Sequence, residues 1–144
     1  MTNEIFIPMR YLLYFFLIIS LSTCDSDEID TTYLPNVAVN VEINLNLPQY
    51  QDLLIGGGYA YANGGVEGLV IYNTGIGYVA FDRACPHIVL QDCSQMSVES
   101  IYLVCPCDGE RFQINNGAPE NGNIRNAARF YNVTENGNVL IIRS

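Results

Sequence analysis

Four cysteines and the chain's single histidine fall within a window of 23 residues: Cys85, His87, Cys93, Cys105 and Cys107. Thiols and an imidazole at that density either ligate a metal or pair into disulfides. Structural zinc turns space their cysteines with about two to four intervening residues, whereas Cys85-Pro86-His87 and Cys105-Pro106-Cys107 leave only one, so zinc is a weak candidate. A nucleophilic cysteine paired with His87 is a poor reading too, because clustered cysteines outside the cytoplasm oxidise. As disulfides, the four cysteines allow three pairings. A Cys105–Cys107 bridge would span a single residue and be strained, which leaves two pairings, both crossing between the two cysteine-bearing segments.

The elements around this cluster read as strands. In "VAVNVEINLNLP", Val37, Val39, Val41, Ile43, Leu45 and Leu47 share one face and Asn40, Glu42, Asn44 and Asn46 the other, the pattern of a half-buried strand. Glycines at 56–58 and 64–65 mark turns, and "GLVIYN" and "GYVAFD" flank "TGI" as a hairpin. "SIYLVC" runs into the second cysteine segment, "RFQI" leaves it, and "NNG" at 115–117 turns the chain. "ARFYNV" and "VLIIRS" form a last hairpin across Asn136-Gly137. Without a sustained helical period beyond the first residues, the chain is expected to be all-β, a sandwich or barrel. Phe81, Tyr102, Phe112, Phe130 and Tyr131 are expected to pack in the core or in turns rather than to touch a ligand.

Upstream, "MRYLLYFFLIISLSTC" (9–24) combines Arg10, an apolar run too short to span a bilayer and a cysteine, as a secretory leader does. Met9 is the expected start, because the preceding residues add Glu4 and Pro8 but no second positive charge. "LSTC" resembles the lipobox of bacterial lipoproteins, which implies lipidation of Cys24. "DSDEID" after it is an acidic spacer of the kind seen on surface lipoproteins of Bacteroidota. The expected organisation is leader 1–23, acidic tether 24–34 and β domain 35–144, on the cell envelope and with the outer membrane as its expected place. The mature part carries fourteen acidic residues against five arginines and no lysine, which argues against nucleic acid and anionic lipid as partners.

"YVAFDRACPH" (78–87) and "CPCDGERF" (105–112) together resemble the two ligand loops of the Rieske family, whose second loop reads Cys-Pro-x-His-Gly with an aromatic soon after. The likeness covers roughly residues 55–144. It implies a Rieske-like antiparallel β fold with both cysteine-bearing loops at one end. A Rieske cluster holds one iron by two thiolates and the other by two imidazoles. Position by position, Cys85 and Cys105 match the thiolates and His87 the first imidazole, while Asp108 stands where the second imidazole belongs. Cys107 matches a bracing cysteine of the respiratory members, and Cys93 is a later-placed partner for it. The resemblance thus implies a Cys93–Cys107 disulfide and, if no cluster is present, a second one between Cys85 and Cys105.

Two functions are carried forward. The first is an envelope lipoprotein with a cluster-free, disulfide-braced Rieske-like domain that binds a protein partner, with no cofactor and no catalysis of its own. The alternative is a one-electron carrier whose [2Fe-2S] cluster is held by Cys85, His87, Cys105 and Asp108. The lone Arg10 favours the first: export of a folded, cluster-loaded protein generally takes a twin-arginine leader, and an unfolded chain would arrive empty where thiols oxidise. The ferredoxin component of an aromatic-ring oxygenase is set aside because such partners work in the cytoplasm. Whether a small molecule is also bound is left open by the sequence.

Overall fold

The computed structural model describes residues 33–144; the leader, Cys24 and the tether as far as Thr32 lie outside them. Nine strands and a short 3-10 helix (Pro48–Leu54) make up the secondary structure of the described residues. In chain order the strands are β1 (Asn40–Asn44), β2 (Tyr59–Ala62), β3 (Leu69–Asn73), β4 (Tyr78–Asp82), β5 (Ser97–Glu99), β6 (Tyr102–Val104), β7 (Arg111–Gln113), β8 (Phe130–Asn136) and β9 (Val139–Arg143). Among the described residues no helix is long and apolar enough to cross a membrane.

Every strand pairing is antiparallel, in a six-stranded sheet of order β1-β9-β8-β4-β3-β2 and a three-stranded sheet of order β5-β6-β7. The large sheet curls until its two edges nearly meet, so that a Cβ placed on Gly64, just past β2, would stand 3.0 Å from the Val41 side chain of β1. The expectation of an all-β, antiparallel fold therefore holds. β1 is shorter than the alternation suggests: Val39, Ile43 and Leu45 are buried as expected, but Leu47 is exposed where Pro48 opens the 3-10 helix.

β3 and β4 separate two cores, which explains their near-continuous apolar sequences. Leu69, Ile71 and Ala80 face a core inside the curled sheet with Ile43, Leu53, Tyr131, Leu140 and Ile142. Val70 and Phe81 face the other way, onto Met96, Leu103, Phe112, Ile114 and the two buried cysteines 85 and 105. The small sheet is thus glued to the back of β3 and β4, and its core ends in sulfur. Of the aromatics singled out above, Phe81, Phe112 and Tyr131 are buried, Tyr102 lies under the Arg111 guanidinium, and Phe130 is exposed with its edge against Phe81.

At the domain's entrance Leu34 is buried, and the Arg129 guanidinium donates to the carbonyls of Leu34 and Pro35 at 2.9 and 2.5 Å.

Candidate functional site

The first loop leaves β4 at Asp82, a fully buried carboxylate. Such a charge is tolerated only when it is well hydrogen-bonded, and here four donors converge on it. Oδ2 accepts from the Val66 N–H (2.7 Å) and the Tyr131 hydroxyl (2.8 Å), and Oδ1 from the N–H groups of Ala84 (2.9 Å) and Glu67 (3.1 Å). Burial and the bond to this carboxylate push the Tyr131 phenol up to about 12. Gly65 lets the backbone pass: it has φ +64°, and a Cβ there would stand 2.3 Å from Asp82 Oδ2. Asp82 therefore ties loop 64–67, β8 and the start of the cysteine loop to one point.

Beyond it the loop closes on itself. The Cys85 N–H donates to the Ser94 carbonyl at 2.8 Å, and the buried Ser94 hydroxyl accepts from the Gln91 N–H at 2.8 Å, setting the turn that carries Cys93. The second loop is a tight turn between β6 and β7. Cys105 donates to the Glu110 carbonyl and accepts from the Gly109 N–H, both at 2.8 Å, with Gly109 in the left-handed region at φ +79°. Asp108 Oδ1 accepts from the Glu110 N–H at 3.1 Å, as an ordinary turn aspartate does.

The two loops lie side by side. Sulfur bonds join Cys85 to Cys105 and Cys93 to Cys107, with Cα–Cα distances of 5.6 and 5.0 Å. The inner pair is fully buried in the small-sheet core, and the outer pair is half-buried. Beside them His87 Nε2 meets Asp108 Oδ2 at 2.6 Å, while His87 Nδ1 is buried without a hydrogen-bond partner. The imidazole lies tilted against the Phe112 ring, centroids 5.5 Å apart. Partial burial alone would raise the Asp108 pKa, but the bonds from His87 and from the Glu110 N–H outweigh it and hold the carboxyl below its ordinary value. As an ionised carboxylate Asp108 can only accept, which assigns the proton in this contact to Nε2. A ring nitrogen of His87, a carboxylate oxygen of Asp108 and the Cys105 sulfur lie within 4.8 Å of one another.

Cys85, His87, Cys93, Cys105, Cys107 and Asp108 are thus all brought together, while Cys24 lies outside the described residues. As arranged, the donors do not fit a [2Fe-2S] cluster. The two thiolates that would hold one iron are bonded to each other, and in place of a second imidazole there is a carboxylate engaged with the first. Asp82 and Ser94, which set the loops' geometry, escaped sequence reasoning, because an aspartate ending an apolar strand looks like any strand-end polar residue; Gly65 reads as a turn residue, but its approach to Asp82 does not show in the sequence. An open cleft of about 490 Å³ lies elsewhere, with Tyr61, Asn63, Glu67, Arg83 and Gln95 among its lining and none of the cysteines, His87 or Asp108.

No protein-family model and no curated protein matches the chain. Among solved structures it is similar to the ferredoxin of carbazole 1,9a-dioxygenase from Nocardioides aromaticivorans IC177, at 22% identity over 74% of this chain and 97% of that one, with a TM-score of 0.47. It is similar also to the Sphingomonas yanoikuyae B1 ferredoxin, at 20% identity over 62% and 88%, TM-score 0.45. A third likeness is to a complex of reduced oxygenase and oxidised ferredoxin in carbazole 1,9a-dioxygenase, at 16% identity over 76% and 94%, TM-score 0.49. Likenesses this distant say nothing of what the present chain binds. The two antiparallel sheets, with a pair of cysteine loops meeting beside a histidine, agree with the fold expected from the resemblance of the two loops to the Rieske family.

Proposed function

We propose that the protein is an envelope-anchored lipoprotein, with leader 1–23, a lipid on Cys24 and an acidic tether over 24–34, whose Rieske-like domain is cluster-free and docks onto a protein partner. The observation that carries the reading is the inner bridge: the sulfurs of Cys85 and Cys105, the thiolate pair of a Rieske site, are bonded to each other in a solvent-free core. Two bridges keep the loops in shape without iron.

The test is to express the full chain with its own leader in a bacterial host, purify it from the envelope, and measure iron, visible absorbance and free thiols. The expected result is no stoichiometric iron, no [2Fe-2S] spectrum and two disulfides per chain. One [2Fe-2S] per chain would replace this reading with that of an electron carrier. Acyl labelling that is lost in Cys24→Ser checks the anchor, and labelling that persists in the variant would refute it.

The electron-carrier reading draws on one observation, the buried His87 Nδ1 that lacks a partner. Buried polar atoms are rarely left so, and Nδ1 is the nitrogen by which the family's imidazoles bind iron. The same iron analysis decides between the two readings.

A further inference from the structure

The orphaned Nδ1 and the misfit of the donor set to a two-iron cluster have one common resolution. Histidines that bind metals through one nitrogen almost always donate the other N–H to a carboxylate or carbonyl, which fixes the tautomer and turns the bare lone pair toward the metal. His87 has this arrangement without the metal. Nε2 meets Asp108 Oδ2 at 2.6 Å, and Nδ1 is buried without a hydrogen-bond partner. The sulfur of Cys105 lies within 4.8 Å of a ring nitrogen of His87 and of a carboxylate oxygen of Asp108, and the sulfur of Cys85 is bonded to it.

We propose that the inner bridge is a redox gate over a mononuclear site for a divalent, thiolate-seeking cation of the zinc class, with Cys85, Cys105 and His87 Nδ1 as ligands and Asp108 as the group that orients His87. The inference rests on the reading of the domain as cluster-free. Asp108 sits at the far edge of the ring from Nδ1, so it is a positioning residue rather than a fourth ligand. The fourth place is left to water or an incoming group, as in open three-ligand zinc sites.

Opening the gate takes a dithiol reductant. Its two thiols give up two electrons and two protons and close into a disulfide, while the Cys85–Cys105 bond breaks to two thiols. The half-buried Cys93–Cys107 bridge is the one such a reagent meets first, and its opening frees the loops that cover the inner pair. Metal binding then expels the two thiol protons, so a divalent ion and two thiolates leave the buried volume without net charge.

The experiment uses exported full-length protein, first shown to be free of iron, and Co²⁺ alone as the probe. The protein is titrated before and after reduction with a phosphine, which does not itself compete as a thiol ligand. After reduction, one Co²⁺ per chain is expected, with thiolate-to-cobalt charge-transfer bands and the intense visible bands of a four-coordinate site; before reduction, none. His87→Ala should abolish those bands. Asp108→Ala should weaken binding by about ten- to a hundredfold with the thiolate bands retained, and Asp108→Asn, which keeps an acceptor oxygen, should recover part of the loss. A structural role alone would not give that graded recovery in a charge-transfer signal. Failure of the reduced protein to bind, or equal binding without thiolate bands in both states, would each overturn the proposal and leave the cluster-free reading standing. A [2Fe-2S] signal in the protein as purified would overturn that reading first.

Discussion

Removing the outer bridge by Cys93→Ala/Cys107→Ala isolates how much the loop pair depends on it. Both residues are half-buried, so alanine removes little packing, and the main loss is the constraint on the unfolded chain. The bridge spans a sequence separation of 14, which alone would correspond to about 3 kcal/mol in the chain-entropy treatment. The inner bridge shortens that path, because the unfolded chain can run from Cys93 back to Cys85, across to Cys105 and on to Cys107, an effective loop of roughly ten residues. The contribution left to the outer bridge is then about 2.7 kcal/mol. For a domain of this size that is a fall of about 10 °C in Tm. Urea and thermal unfolding in oxidising buffer measure it, and a phosphine reductant should take wild type further, by about 6 kcal/mol once both bridges are open. An unchanged Tm in the variant, together with a wild type indifferent to reductant, would refute the claim that the loops are braced by sulfur.

Gly65→Ala should cost at least about 2 kcal/mol, since its Cβ would stand 2.3 Å from the buried Asp82 carboxylate at a φ of +64°; wild-type stability in the variant would show that the loop can move aside. Tyr131→Phe removes one of four donors to Asp82 and should cost about 1–2 kcal/mol in urea. Because the Asp108 carboxyl titrates lower folded than unfolded, its contribution is whole above about pH 4 and is lost as pH falls through the folded value. Urea midpoints between about pH 5 and 2 should therefore decline less steeply in Asp108→Asn than in wild type. Asp108→His, expressed in the cytoplasm where thiols stay reduced, should load iron with a [2Fe-2S] spectrum that wild type lacks under the same conditions. A wild type that loads equally would show that the carboxylate is no obstacle.

Much of the architecture is legible from residue pattern. The period-two alternation over 39–45 and the apolar runs of β3 and β4 follow directly from which faces are buried. The alternation cannot show where pairing stops, since Leu47 continues the pattern but sits exposed at the mouth of the 3-10 helix. "YAYA" and "SVE" escape notice as β2 and β5 because strands of three or four residues between glycines or turns carry almost no periodic signal. Ser100, at φ 58°, turns β5 into β6 inside what reads as one strand beginning at Ser100. The cysteines and His87 announce themselves by residue type. Asp82 does not, because its burial depends on donors from Val66, Glu67 and Tyr131, up to 49 positions away. The His87–Asp108 contact is hidden for the same reason: position places a carboxylate in the imidazole's stead, but which ring nitrogen it meets is decided by side-chain direction.

Charge balance connects that carboxylate to the bridge beside it. In a Rieske site a [2Fe-2S]²⁺ core with two thiolates is neutral, and two imidazoles add nothing. An aspartate as fourth ligand would make the oxidised cluster an anion and the reduced one a dianion, at the edge of a core where Cys85 and Cys105 have no solvent contact. Like charges about 4 Å apart repel by about 4 kcal/mol at an effective dielectric constant near 20, so reduction would be opposed by an amount no flanking lysine is there to offset. A disulfide is neutral, and so is a divalent ion with two thiolates and a neutral imidazole. In both of those states Asp108 can keep its charge at the half-exposed rim, 35% accessible and bonded to Nε2, without adding any to the interior. Replacing an imidazole by a carboxylate is therefore costly for a two-iron electron carrier and costs little in a site that passes between a sulfur–sulfur bond and a single divalent ion.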